Sequence, residues 1–267
     1  MRLEAGRRIG YRERAWFYRI EEPNTADRAF LSQLVTRDVR SILEIPCGAG
    51  RNFDWLSRTK RRIVLVDKEP RMVEQVAGRI RALSRPARIR TLVADMRSLV
   101  LRERFDLIIV PQEAFQLIPR RDALGALRRL RSHLTRRGRL VVDVAVFDPA
   151  AIRDRSACPG YYDPGIPDER LVPEWTRRLP EGGSLARSRT QRHSRRRLTV
   201  EFRYTVKQAH RAEQRLRTVL HLQRYTREEL VGLARRAGLG CRAVYGSHSG
   251  QPYQEGSGRM ILILGHE

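Results

Sequence analysis

Ile42 to Arg51 reads ILEIPCGAGR. An apolar run carrying an acid, Glu44, passes into a turn built from Pro46, Gly48 and Gly50, and a helix-compatible stretch from Arg51 to Arg58 follows. Strand, tight turn and helix in this order form the unit from which nucleotide-binding α/β folds are assembled. Gly48 and Gly50 lack a Cβ, so a ligand can approach the turn's backbone and lie at the carboxyl end of the strand. The GxGxxG spacing of a dinucleotide fingerprint is absent, and a glycine turn alone is a weak signal.

Outward from this turn the chain alternates strands and helices. Ser41 to Ile45, Arg62 to Val66, Ile89 to Val93 and Phe105 to Val110 read as four strands. Met72, Val76, Ile80 and Leu83 give Pro70 to Leu83 helical spacing. Leu124, Leu127, Leu130 and Leu134 form one stripe of a helix over Asp122 to Leu134; Gly138 ends that unit before a fifth strand, Leu140 to Val146. Such alternation predicts an α/β fold with a parallel sheet covered on both faces.

The pattern then changes. Pro149 to Gly183, rich in Pro, Gly and Asp, reads as a long loop. Period-two alternation in Leu198, Val200, Phe202, Tyr204 and Val206, and again in Leu216, Thr218, Leu220 and Leu222, predicts antiparallel strands. Thr226 and Glu229 predict a capping box on a helix running to Ala237, with Gly238 as its stop. Cys241 to Tyr245 and Arg259 to Leu264 are expected to close the main sheet. The expected division is a core with a helical cap over 1–148, a loop and antiparallel β insertion over 149–224, and returning core elements over 225–267.

Two more strand ends carry chemistry. Asp67 closes VLVD, where a carboxylate can accept hydrogen bonds from both hydroxyls of a ribose. Asp95 and Met96 close VADM, where an acid can accept from an adenine amino group and a thioether can cover the ring. Each feature alone suits a solvated acid or a core methionine; three in succession point to one nucleoside-binding crevice.

With these residues in view, ILEIPCGAGR, VLVDKEPRMVEQV, TLVADMRSL, FDLIIVPQEAFQLI and LRRLRSHLTRRGRLVVDV resemble the successive motifs of class I S-adenosylmethionine (SAM)-dependent methyltransferases. The resemblance covers Phe30 to Val146, and the ending from Arg224 is similar to bacterial small-molecule methyltransferases of this type. It implies a Rossmann-like, doubly wound, seven-stranded sheet with an antiparallel last strand. It also implies a SAM site along Glu44, Pro46, Gly48, Gly50 and Arg51, then Asp67, Lys68 and Met72, then Asp95 and Met96, and Pro111. Pro46 stands where the commonest pattern has a glycine; it fixes φ and removes a donor.

The fourth strand end, Pro111 to Gln116, is expected to border the acceptor pocket. Gln112 and Gln116 are candidate orienting hydrogen-bonders and Glu113 a candidate base or cation anchor. Amino-sugar N-methyltransferases that resemble this chain carry a His one helix turn into this segment. Leu117 or Ile118 holds that place here, so a His-based mechanism is not expected. Tyr11, Trp16, Phe17 and Tyr18 form an aromatic cluster suited to covering the cofactor or packing on the sheet. Tyr161, Tyr162 and Trp175 suit an acceptor pocket or loop anchoring equally.

The 267 residues include 41% hydrophobic side chains, enough for a packed core. The net charge is +24, and only Lys60, Lys68 and Lys207 among the 54 basic residues are lysines. Scattered arginines suit compositional drift better than a nucleic-acid site, although the charge predicts salt-sensitive polyanion binding. Cys47, Cys158 and Cys241 form no CxxC pair and read as inert thiols, and His193, His210 and His221 lack ligand-like spacing. No metal is expected. No secretory signal or bilayer-length apolar run is read, so the expectation is a cytoplasmic protein without membrane contact. The leading expectation is methyl transfer to nitrogen or oxygen of a small molecule. The alternatives are an RNA or other nucleic-acid methyltransferase and a non-catalytic SAM-binding protein. The antiparallel strands suit a pocket wall or a homodimer contact.

Overall fold

The structure, a computed structural model, describes residues 6–21, 25–83, 88–147, 161–209 and 211–267. Its elements are β1 (Arg7–Arg8), α1 (Tyr11–Arg14), α2 (Tyr18–Glu21), α3 (Arg28–Gln33), β2 (Ser41–Glu44), α4 (Phe53–Arg58), β3 (Arg62–Asp67), α5 (Pro70–Arg81), β4 (Ile89–Val93) and β5 (Phe105–Val110). A 3-10 turn (Ala114–Leu117), α6 (Arg120–Ser132), β6 (Leu134–Ala145), β7 (Val172–Arg178), β8 (Ser184–His193), β9 (Arg197–Lys207), β10 (Gln214–Gln223), α7 (Arg227–Arg236), β11 (Leu239–Tyr245) and β12 (Arg259–His266) follow.

Seven strands in the order β11-β12-β6-β5-β2-β3-β4 form the main sheet. β4, β3, β2, β5 and β6 pair in parallel, and β12 runs antiparallel to both β6 and β11. These strands are apolar on both faces because both faces are covered. Leu43, Val64, Ile108 and Leu140 pack with Ala126 and Leu130 of α6 and Leu230 and Ala234 of α7. Ile42, Leu65, Ile109 and Val141 pack with Phe30 of α3, Leu56 of α4 and Val76 and Ile80 of α5. Each fully buried Leu or Ile contributes about 1.5–3 kcal/mol, so the apolar strand runs dominate the stability of this layer. The Thr226–Glu229 capping box forms, and Gly238 adopts φ +74° behind α7.

Two boundaries near Gly138 differ from the sequence reading. β6 begins at Leu134, so Gly138 lies inside a strand and ends no unit. A Cβ there would sit 2.7 Å from the Phe105 carbonyl oxygen, so glycine permits the close approach of β5. The buried face of α6 is Ala123, Ala126, Leu127 and Leu130, while Leu124 is only partly buried and Leu134 belongs to β6. Small alanines let the helix settle close to the sheet.

A second sheet has the order β1-β10-β9-β8-β7, and β7 to β10 pair antiparallel. β9 and β10 match the period-two reading, with Thr218 buried among its apolar neighbours. β7 lies inside the stretch read as loop, and β8 escaped notice because its inward positions include Arg187, Arg189 and Gln191. Those guanidinium groups are buried but paired. Arg187 donates to Glu21 at 3.0 Å and, with Arg189, to Glu174; Arg14 donates to the other Glu21 oxygen at 2.7 Å. Tyr204 also donates its hydroxyl to Glu21. Buried charges persist only when paired in this way. This network ties α1 and α2 to the antiparallel lobe.

Candidate active site

A cavity of about 440 Å³ opens at the carboxyl ends of the central strands, within the size range of small-ligand sites. Glu44, Pro46, Gly48, Arg51, Asp67, Lys68, Met72, Asp95, Met96 and Pro111 all line it. Of the residues expected around the cofactor, Gly50 alone is not on the wall. Its φ is +80°, and a Cβ there would meet Val76 Cγ2 and Arg79 Nη1, each at 2.9 Å. Gly50 thus seats the turn on α5 while Gly48, at φ +53° and close under the Tyr18 ring, faces the cavity. The Ile45–Pro46 peptide is cis.

The acids are placed differently from one another. Asp67 accepts from the Gly48 N–H through Oδ2 and from the Glu69 N–H through Oδ1, both at 2.9 Å. Burial raises its pKa against these two bonds. A carboxylate has about four acceptor positions, so Asp67 braces the glycine turn and keeps capacity toward the cavity. Glu44 accepts from Asn52 Nδ2 at 2.8 Å through Oε1, and its buried Oε2 has no hydrogen-bond partner. Burial pushes its pKa up to about 8, against the pull of Arg51 and Asn52. Arg51 is itself clamped by both oxygens of Asp27. Asp95 is engaged by Arg97, through Nη2 at 2.8 Å and Nε at 3.0 Å, and hydrogen bonding to Arg97 holds its pKa down. Arg97 also lines the cavity; the sequence reading missed it, and only its place two residues after Asp95 hints at the pairing.

The other end of the cavity is built from distant segments. Tyr11 and Tyr18 reach it from α1 and α2, joined by Tyr161, whose hydroxyl lies 3.3 and 3.2 Å from theirs. Leu117, Ile118 and Gln112 form one wall and Val219, Leu220 and His221 of β10 another. Trp16 is exposed, and Phe17 packs on Tyr204. Tyr162 is buried against Phe147, and Trp175 lies between the guanidinium groups of Arg177 and Arg187; neither lines the cavity. His221, whose sequence spacing did not suggest a ligand, has its pKa lowered by partial burial and by Arg197, Arg8 and Arg192.

The turn after β5 sorts the three polar residues proposed from sequence. Gln112 and Glu113 adopt φ of +39° and +55°, a region that non-glycine residues enter at about 1–3 kcal/mol each. The turn carries Gln112 onto the cavity wall, where its buried Nε2 has no partner. Glu113 is fully buried away from the cavity, 2.6 Å from Arg259 Nη1. Arg259 Nη2 holds Asp143 at 2.6 Å, and Asp143 also meets His248 at 3.0 Å. Burial raises the Glu113 pKa against Arg259. It acts on Asp143 as well, but Arg259 and His248 outweigh it and hold that carboxyl far below its usual range. Glu113 is therefore a partner of Arg259 and does not line the cavity. Gln116 is also buried and fully used: Oε1 accepts from Ala145 N at 2.8 Å, and Nε2 donates to Ala145 O at 3.1 Å and Gln223 O at 3.0 Å. It ties the ends of β6 and β10 together and does not line the cavity.

Cys47 lines the cavity, but burial raises its thiol pKa; Cys241 is half-buried, and Cys158 and His210 lie outside the described residues. Among the described residues no group of three His, Cys, Asp or Glu side chains is placed to hold a metal, and no helix is long and apolar enough to cross a membrane.

A sheet of this order, with a glycine turn, an acid and an acid-methionine pair at successive strand ends around one cavity, defines the class I methyltransferase fold. Residues 42–138 match the family model for a methyltransferase domain. Among solved structures, an S-adenosylmethionine-dependent methyltransferase from Clostridium acetobutylicum is 13% identical, with 94% of this chain and 96% of that chain covered and a TM-score of 0.71. The sugar N-methyltransferase from Streptoalloteichus is 17% identical, covering 94% and 92%, with a TM-score of 0.68. An amino pentose methyltransferase from Micromonospora echinaspora, solved with SAM, is 19% identical, covering 96% and 92%, with a TM-score of 0.62. No curated protein sequence matches the chain. Residues 42–138 thus form a methyltransferase domain, and the chain has the fold of SAM-dependent methyltransferases.

Proposed function

We propose that this enzyme transfers the methyl group of SAM to an amine nitrogen of a small-molecule acceptor. The observation that carries the reading is the single cavity in which Gly48, Asp67, Asp95 and Met96 meet Gln112 and three tyrosines. The residues present fit the cofactor. The orphan Oε2 of Glu44 is an acceptor for the ammonium of the methionine part, Asp67 accepts from the ribose, and Met96 and Asp95 flank the adenine. When bound, SAM supplies a sulfonium-activated methyl carbon, and its transfer is an in-line displacement governed by positioning.

The chain's own work is then to hold and desolvate the amine. Tyr11, Tyr18, Tyr161, Leu117 and Ile118 exclude water, and the free Nε2 of Gln112 orients the acceptor. A neutral amine needs little base assistance, whereas a hydroxyl needs a base or a metal. The acid nearest in sequence, Glu113, is spent on Arg259. Tyr161 and the Val219–His221 stretch of β10, within the segment 149–224, serve in this reading as the acceptor wall. Fold likeness to a sugar N-methyltransferase and to an amino pentose methyltransferase supports a small amine. Many arginines are committed to internal ion pairs, as Arg51, Arg97, Arg187 and Arg259 show, which weakens the nucleic-acid reading. Titration calorimetry with SAM, followed by tritiated-methyl transfer to a panel of amines, tests the proposal. Absence of SAM binding removes it, label entering RNA replaces it, and tight SAM binding with no product in any acceptor favours the non-catalytic reading.

A further inference from the structure

β10 meets the cavity through three consecutive residues, Val219, Leu220 and His221. Successive side chains on a strand point to opposite faces, so three in a row line one cavity along the strand's edge. β1 covers that edge only at Leu216 and Arg217, and the Ile9 N–H donates to the Arg217 carbonyl at 2.8 Å. At the far end, Gln116 Nε2 donates to the Gln223 carbonyl at 3.0 Å. Backbone polar groups of alternate residues point to the same side of a strand. Arg217 and Gln223 therefore show which residues look outward: Val219 and His221 present their N–H and C=O groups to the same edge, while Thr218, Leu220 and Leu222 pair with β9. Among the described residues, no hydrogen bond from another element reaches these four outward groups.

We propose that this gap is an acceptor subsite for a short peptide-like segment. The proposal rests on the methyltransferase reading and adds the class of acceptor. An acceptor with a secondary amide lies extended along β10, donating its N–H to a carbonyl and accepting from the N–H of Val219 or His221. Its amine then points between Gln112 and the tyrosines. Alternating donors and acceptors at strand spacing are matched group for group by an extended amide, the basis of peptide recognition at sheet edges. Arg217 to Gln223 spans about 20 Å at ~3.3 Å per residue, and both ends are blocked. The gap thus takes a di- or tripeptide and excludes a strand of another protein.

The test uses the whole ¹⁵N-labelled protein saturated with S-adenosylhomocysteine and the probe tri-alanine. The expected result is a saturable shift of the Val219 and His221 amide signals. A tri-alanine analogue with an ester in place of the amide between its second and third residues should bind about fivefold more weakly, the loss of one hydrogen bond. Val219→Pro removes one outward donor and leaves the β9 ladder intact, as an edge proline can. It should weaken tri-alanine binding by a similar factor with SAM affinity unchanged, and Val219→Ala should not. Unshifted 219 and 221 signals in protein that binds SAM, or equal binding of amide and ester, overturn the subsite alone. Shifts at both signals without SAM binding keep the peptide subsite and remove the methyltransferase reading.

Discussion

The two ends of the cavity are built by opposite strategies. The cofactor end is assembled from parallel strand ends, where Asp67 closes its strand and Gly48 and Asp95 follow theirs within a few residues. The acceptor end gathers Tyr11, Tyr18, Gln112, Tyr161 and the β10 edge from separate elements, held by buried ion pairs and by Gln116. Direct attachment to a rigid sheet fixes the first end. The second depends on long-range polar bonds that must all form together, so it can be altered with less consequence for the first.

That contrast can be broken by substitution, starting with the largest effect. Arg259→Leu leaves Glu113 and Asp143 buried without their shared cation and should lower stability by about 3–5 kcal/mol, read by urea unfolding. A loss within mutational noise would show that the Glu113 turn is held by something else. Asp67→Ala removes the brace on Gly48 and the ribose acceptor and should weaken SAM binding by about 2–4 kcal/mol; calorimetry finding unchanged affinity would place the nucleoside elsewhere. Gln116→Ala orphans Ala145 and Gln223 backbone groups and should lower stability by about 1–3 kcal/mol, with acceptor KM rising more than SAM affinity falls. Equal effects on both ligands would erase the distinction between the two ends.

A pH series sharpens the contrast further. Burial raises Glu44 to about 8, above its ordinary value near 4.3, so the folded, ligand-free protein holds a proton there that the unfolded chain has lost. Its contribution to stability is full below about pH 4 and declines as pH rises toward 8. Binding an ammonium selects the carboxylate, so SAM affinity should rise with pH up to about 8, by no more than about tenfold per unit. Glu44→Gln should flatten that rise. The smallest effect belongs to Gln112→Ala, which breaks no internal bond: stability should stay within about 0.5 kcal/mol, while kcat/KM falls about fivefold to tenfold. A fall in stability with unchanged kinetics would make Gln112 a structural residue.

The same division governs what could be read in advance. The α/β alternation and the carboxylates at strand ends were legible because strand period and turn chemistry act over a few residues. β8 was illegible because Arg187, Arg189 and Gln191 fill inward positions, and polar residues there make sense only once Glu21 and Glu174 arrive from other elements. Glu113 and Gln116 were read as acceptor contacts, since a polar residue after a strand gives no sign of its direction. Two left-handed residues and the partners Arg259, Ala145 and Gln223 turned both away.

The amino-acid sequence alone determined the strand–turn–helix order and the places of Gly48, Asp67 and Asp95, because backbone preference and hydrophobic periodicity are local. Only the tertiary structure decided which side chains of the Gln112–Gln116 turn face the cavity, and that Arg97, Tyr161 and the edge of β10 complete it. Side-chain direction at a turn, and the exposure of a strand edge, depend on which distant groups arrive to satisfy or cover them.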